Sequence, residues 1–190
     1  MRAWPGRRSR IHADLVPRFP TVNVMPSMPE LVIRPFGHGD APEIVALVTG
    51  IQRDEFNVPV TAEEQPDLLE PITFFRHGAG DFWVAADGER IVGTIGLLDI
   101  GERIGVLRKM FLTREYRGAK IGAAKQLLDT LLASARGHHL CAVYLGTAEI
   151  LHAAHRFYEK NGFSEIPVSG LPAAFPRMAV DTKFYCLTID

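Results

Sequence analysis

The sequence predicts an α/β fold: one mixed sheet with helices on both faces. Three observations carry this expectation. Apolar extended runs recur along the chain, and amphipathic runs with three- and four-residue spacing lie between them. Between residues 104 and 165 a strand, a glycine turn, a helix, a second strand and a second helix follow in order, the size of two linked β-α units. An Asp87-Gly88 turn folds two earlier strands back on each other, so the alternation is too loose for a doubly wound sheet.

Taken in order, Leu31 to Pro35 form an opening strand, and helices follow over about 40–52 and 64–76. Phe82 to Ala86 and Arg90 to Leu97 make the hairpin across Asp87-Gly88. Ile104 to Leu112 is extended again, and its tail from Met110 to Leu112 is uncharged, as suits a strand buried on both faces. Ile121, Ala124, Leu127, Leu128, Leu131 and Leu132 then fall on one helix face, with Lys125, Asp129 and Arg136 largely off it and Gly137 as terminator. Leu140 to Leu145 reads as a second buried strand. A helix from about Glu149 to Lys160 stops at Asn161-Gly162, and Phe163 starts another extended piece. Leu171 to Met178 is a proline-punctuated loop ahead of a last strand, Val180 to Ile189.

With 190 residues and 47% hydrophobic content, the chain holds enough for one full core, alone or with a tail. The expected organisation is a flexible basic tail over 1–30 and a single domain over 31–190. In the tail Arg2, Arg7, Arg8, Arg10 and Arg18 face only Asp14 and Glu30, and five prolines interrupt any helix. No apolar core follows the paired arginines, as a twin-arginine signal would need; Met25 or Met28 is an alternative start. A net charge of −1 argues against nucleic acid as partner, and no apolar run is long enough to cross a membrane. The two cysteines, Cys141 and Cys186, read as reduced and buried, and the expected location is cytoplasmic.

The chemically richest stretch is Arg117-Gly118-Ala119-Lys120-Ile121-Gly122, between a strand and a long helix. That position gathers backbone N–H groups and the positive end of a helix dipole at one point, where phosphate groups bind. The competing reading is a strand-to-helix turn that needs glycine for geometry alone. The stretch is not a P-loop, since no Gly-Lys-Ser/Thr closes it, and the glycine spacing is wrong for a dinucleotide fingerprint.

Leu107 to Leu112, Tyr116 to Gly122, and Ala153-Ala154-His155-Arg156-Phe157-Tyr158-Glu159-Lys160-Asn161-Gly162-Phe163 together resemble the GNAT superfamily of N-acetyltransferases. The motifs span roughly 104–165, with a weaker match back to Leu31. The resemblance implies a mixed, mostly antiparallel sheet whose central parallel pair splays apart to hold acetyl-CoA, with no metal. It implies that backbone groups of Met110, Phe111 and Leu112 pair with the pantetheine arm, the Met110 N–H polarising the acetyl carbonyl. The pyrophosphate would rest on the N–H groups of Arg117, Gly118, Ala119, Lys120, Ile121, Gly122 and Ala123. Tyr158 would protonate the departing thiolate after direct attack by a neutral amine, through a tetrahedral intermediate; the plain alternative is a wall residue with its hydroxyl in water.

The chain departs from the family pattern at three positions. Lys120 stands where glycine is usual, Leu151 where many members carry asparagine, and Val106 where some carry a glutamate base. The base is thus open between water, Glu55 and Asp99. His152 and His155 lack the further ligands a metal site needs, and His138-His139 read as a solvent-facing helix end. The acidic residues from Asp54 to Glu70 are either a solvated face or a rim that steers cationic acceptors. The implied acceptor is an amine of a small molecule or peptide, with a homodimer left open. The rival from another class is a non-catalytic acyl-CoA-binding sensor or interaction module using the same cleft.

Overall fold

The computed structural model describes residues 31–57, 61 and 63–189. The segment 1–30, read above as a basic tail, and Val58-Pro59-Val60 of the acidic stretch lie outside the described residues. Seven strands form one sheet: β1 (Leu31–Pro35), β2 (Asp81–Asp87), β3 (Arg90–Asp99), β4 (Ile104–Leu112), β5 (Ala142–Thr147), β6 (Ser164–Ile166) and β7 (Lys183–Thr188), in the order β1-β2-β3-β4-β5-β7-β6. Every neighbouring pair is antiparallel except β4 and β5, so the sheet is mixed and mostly antiparallel, as expected.

The predicted hairpin turns at Gly88, whose φ of +59° is cheap for a residue without Cβ, and pairs Asp87 with Arg90. Along β2 the side chains divide between two cores. Trp83 and Ala85 join Leu127, Leu128 and Leu131 of α4 (Ala123–Gly137), while Phe82 and Val84 join Ile44 and Val48 of α1 (Ala41–Phe56). Helices therefore cover both faces. α5 (His152–Lys160) lies on the α4 side, where Tyr158 enters the same core. Among the described residues no helix is long and apolar enough to cross a membrane.

Several boundaries differ from expectation. α1 runs on to Phe56 and ends on Asn57, which takes the left-handed conformation (φ 52°). The helix expected over 64–76 is two short ones, α2 (Pro66–Leu69) and α3 (Pro71–Phe75). Pro71 has no N–H to continue the ladder and drives Glu70 out of the helical region, to φ −129° and ψ 60°. Gly137 stays inside α4, and His139 supplies the left-handed residue (φ 57°) that stops it, with both histidines exposed. α5 starts three residues late. The last strand starts at Lys183, because the Asp181 carboxylate accepts from the Met178 N–H and holds a turn there. Cys141 is exposed rather than buried, just before the start of β5, and Cys186 is half-buried; both are free thiols.

Candidate functional site

β4 and β5 pair only from Ile104↔Ala142 to Val106↔Tyr144. Beyond that point they part, leaving the β4 edge from Leu107 to Leu112 without a strand on the β5 side among the described residues. A bulge helps to open it. Thr94 pairs with Phe111 and Gly96 with Arg108, so Lys109 and Met110 together oppose Ile95. Lys109 takes the strained left-handed conformation (φ 52°), and the Thr94 hydroxyl donates to its carbonyl at 2.7 Å. The result is a cleft of about 170 Å³ bounded by β4, by Gly146 to Ala148 at the end of β5, by α5, and by Phe175 to Met178 of the proline loop. Met110 and Phe111 are therefore half-buried cleft residues, not residues buried on both faces, whereas Leu112 is buried.

The glycine loop follows at the end of β4. Gly118 and Gly122 have φ of +100° and +74°, and a Cβ at Gly118 would meet nothing within 4 Å, so glycine is present for backbone conformation rather than for room. The N–H groups of Gly118, Ala119, Lys120, Ile121 and Ala123 donate to no carbonyl among the described residues; that of Gly122 is taken by the Gly118 carbonyl and that of Arg117 by Arg114. Free amides and the N-terminus of the 15-residue α4 thus converge, which is the arrangement that binds anions. Lys120 is exposed, as its place in the loop requires.

The Arg117 side chain does something the sequence did not suggest. Its Nη1 and Nη2 hold Glu55 on α1 at 2.6 and 2.8 Å, and its Nε donates to the Leu112 carbonyl at 2.8 Å. It clamps α1, the end of β4 and the loop together, so its charge is already paired. Those hydrogen bonds hold the Glu55 carboxyl below its ordinary value. Asp99 accepts from the N–H groups of Ala79 and Gly101. Both suggested bases thus have structural work.

Tyr158 is 7% exposed and lines the cleft, with its hydroxyl 3.7 Å from the Met110 sulfur. Burial pushes its phenol well up, so the proton stays on through the neutral range. The structure brings Tyr158 and Met110 together across the splay. Leu151 also lines the cleft. His155 is a core residue, its Nε2 lying 3.0 Å from the Ala148 carbonyl.

A charge cluster on the far side of the cleft went unread in the sequence. Consecutive strand residues ordinarily point to opposite faces, yet Arg108 and Lys109 both reach Asp67 on α2, each at 3.3 Å, because the bulge turns Lys109 round. The Lys109 Nζ also donates to Gln65 Oε1 at 2.7 Å, and Gln65 pairs in turn with Gln52 of α1. Burial pushes the Lys109 ammonium down, and Asp67 opposes that shift. These contacts absorb Asp67, as Arg117 absorbs Glu55, so the acidic stretch presents less free charge than its composition suggests. Two adjacent cations inside an otherwise apolar strand were the signal available.

Known proteins bear on this geometry. The "Acetyltransferase (GNAT) family" model matches residues 45–163. Among curated relatives, a probable N-acetyltransferase camello of Xenopus tropicalis is 36% identical over 107 residues, covering 55% of this chain and 48% of that protein. The N-acetylaspartate synthetase of the same organism is 35% identical, covering 50% and 35%. The chain thus spans about half or less of the length of these relatives. A GNAT-family acetyltransferase from Staphylococcus aureus Mu50 superposes with a TM-score of 0.80 at 32% identity, covering 84% of this chain and 99% of that one. PaiA N-acetyltransferase from Thermoplasma acidophilum, solved in complex with coenzyme A, shares the fold at a TM-score of 0.63 and 16% identity, over 83% and 98%. With the splayed β4–β5 pair, the amide-rich loop and the family match extending over most of the sheet, this chain belongs to the GNAT acetyltransferase family.

Proposed function

We propose that the chain is an acetyl-CoA-dependent N-acetyltransferase acting on an amine of a small molecule or peptide. The observation that carries the reading is the open β4 edge facing the Tyr158 hydroxyl and running directly into the loop of free amides. The names of the aligned relatives, which describe N-acetyl transfer, support it. In this reading the loop N–H groups of Gly118 to Ile121 and of Ala123, the Lys120 ammonium and the α4 dipole hold the pyrophosphate. Arg117 contributes by fixing the loop rather than by touching phosphate. The β4 edge from Met110 to Leu112 holds the pantetheine by strand-like pairing.

Acetyl-CoA supplies an acetyl group activated as a thioester. The Met110 N–H steadies the carbonyl oxygen as negative charge gathers there. The acceptor nitrogen forms the new C–N bond to give a tetrahedral intermediate, and its collapse breaks the C–S bond as Tyr158 gives its proton to the departing sulfur. The proton lost by the amine returns through water, since Glu55 and Asp99 are engaged elsewhere. Two unpaired thiols suit a reducing, cytoplasmic setting.

The test is calorimetric titration with acetyl-CoA of the native chain and of Gly122→Trp, followed by thiol-release assays over a panel of amines. Micromolar binding lost in the variant, with amine-dependent thiol release, is the expected result. Binding without release from any amine would favour a non-catalytic acyl-CoA sensor. No binding by the native chain would end the reading.

A further inference from the structure

The Arg108 guanidinium is nearly buried in the cleft wall, its side chain 13% exposed. Only Nη2 is engaged: it donates to the Met178 sulfur at 2.9 Å, a weak acceptor, and lies 3.3 Å from Asp67. Nε and Nη1 have no acceptor among the described residues. The idle Nε and Nη1 open onto the cleft from opposite edges of the guanidinium, so a carboxylate would pair with one of them and with Nη2, displacing the weak Met178 sulfur contact in favour of a bidentate one.

The surroundings sharpen this. Arg108 and Lys109 share the single carboxylate of Asp67. The Asp181 carboxyl also faces the cleft, but it is turned to the Met178 N–H and burial pushes it toward its neutral form. The next cation, Arg177, lies with its guanidinium carbon 5.4 Å from the centre of the Phe184 ring. Asp67 is thus the one carboxylate in ion-pair contact with Arg108 and Lys109 among the described residues, and Arg108 keeps donors directed into the cleft. Arg108 precedes Met110 by two residues across the bulge, so the two are closer along β4 than in a regular strand, and both line the cleft. An anionic group held by the fork would thus lie near the level at which the amine is attacked. A polyamine would bring further ammonium groups against two cations.

We infer that Arg108 is a receptor for a carboxylate on the acceptor, and that the acceptor is an amino acid or another amine bearing a carboxylate. The inference rests on the N-acetyltransferase reading and names the substrate class for that site. Of the two readings of the acidic residues between Asp54 and Glu70, it favours the solvated face over a rim that steers cationic acceptors.

The experiment measures thiol release from acetyl-CoA with each of the common L-amino acids beside its own carboxamide. The native chain, Arg108→Met and Arg108→Lys are compared, with acetyl-CoA binding followed by calorimetry throughout. The amide's amine is the less basic of each pair, so at neutral pH the intrinsic bias runs against the expected result. The best amino acid should exceed its amide by at least about tenfold in kcat/KM, with the difference in KM. Arg108→Met should bring the two within about twofold, and Arg108→Lys should keep part of the preference, while acetyl-CoA affinity holds. If Arg108→Met also loses acetyl-CoA binding, Arg108→Lys decides: a preference as large as the native one overturns the inference. Amides equal to acids, a preference that Arg108→Met leaves intact, or no amino acid accepted by a chain that binds acetyl-CoA normally, would each overturn it too. Failure to bind acetyl-CoA at all would instead sink the transferase reading and take this inference with it.

Discussion

Beyond the C-terminal end of β4, the N–H groups of Gly118, Ala119, Lys120, Ile121 and Ala123 stand without an acceptor among the described residues, and residues 118–120 are exposed. A few residues back along the same strand, Gln65, Asp67 and Lys109 are buried in a side-chain network, with Arg108 at its edge. The first region is made of backbone and needs only local conformation, two glycines with positive φ ahead of a helix. The second is made of side chains from β4, α1 and α2, and each member depends on the others. The first should tolerate substitution with small losses of stability and large losses of ligand affinity. The second should show the opposite.

The largest expected effect tests that contrast directly. Asp67→Ala leaves Arg108 and Lys109 without their shared counter-charge and should cost about 3–5 kcal/mol, read from urea unfolding. Adding Lys109→Met should recover part of the loss, because it removes one of the stranded cations. A cost under about 1 kcal/mol would mean that water already supports the cluster and that the two regions are alike.

Next in size is Tyr158→Phe, at the junction of the regions. It should lower kcat about 100-fold with KM for acetyl-CoA little changed. Because burial holds the phenol's proton on, the native kcat/KM should rise with pH as the acceptor amine deprotonates, with no falling limb before about pH 10. A bell centred near neutrality would assign the acid role to another group.

The same contrast explains what could be read in the sequence. The loop, the α4 face and the Gly88 hairpin are local patterns, written in glycine positions and apolar spacing, and each is found where expected. Tyr158 and Met110 were placed through motif resemblance, and the splay that brings them together is a tertiary fact. The pairing of Arg117 with Glu55 joins residues far apart in sequence, so composition alone left both looking like free charge. Asp67 looked like one more acid on a solvated helix for the same reason. The break at Pro71 was legible in principle, since proline removes an N–H wherever it stands; the apolar spacing around it masked that signal.

On the loop side, Gly122→Val isolates the backbone term. A Cβ there meets only the Gln126 Nε2, at 4.0 Å, so the cost comes from forcing φ +74° on a branched residue. It should be about 1–2 kcal/mol in unfolding, with acetyl-CoA affinity falling at least about tenfold as the amides lose their aim. A loss of stability without loss of affinity would move the anion site off this loop.

The smallest expected effect concerns the clamp that links the two regions. Arg117's hydrogen bonds hold Glu55 below its ordinary value of 4.5, with burial acting against them. The folded chain therefore binds that proton less tightly than the unfolded chain. The pair's contribution is complete above about pH 5 and drains away as pH falls through the depressed value. Glu55 and Arg117 are 21% and 35% exposed, so solvent screens the pair, and Glu55→Gln should cost only about 0.5–1 kcal/mol at pH 7. Compared by urea unfolding, the difference between native and variant should shrink toward zero by about pH 3 and should also narrow in high salt. A difference that stays constant from pH 7 to pH 3 would mean that Arg117 is fixed by the Leu112 carbonyl alone. The loop would then be held from β4, with α1 contributing nothing to its position.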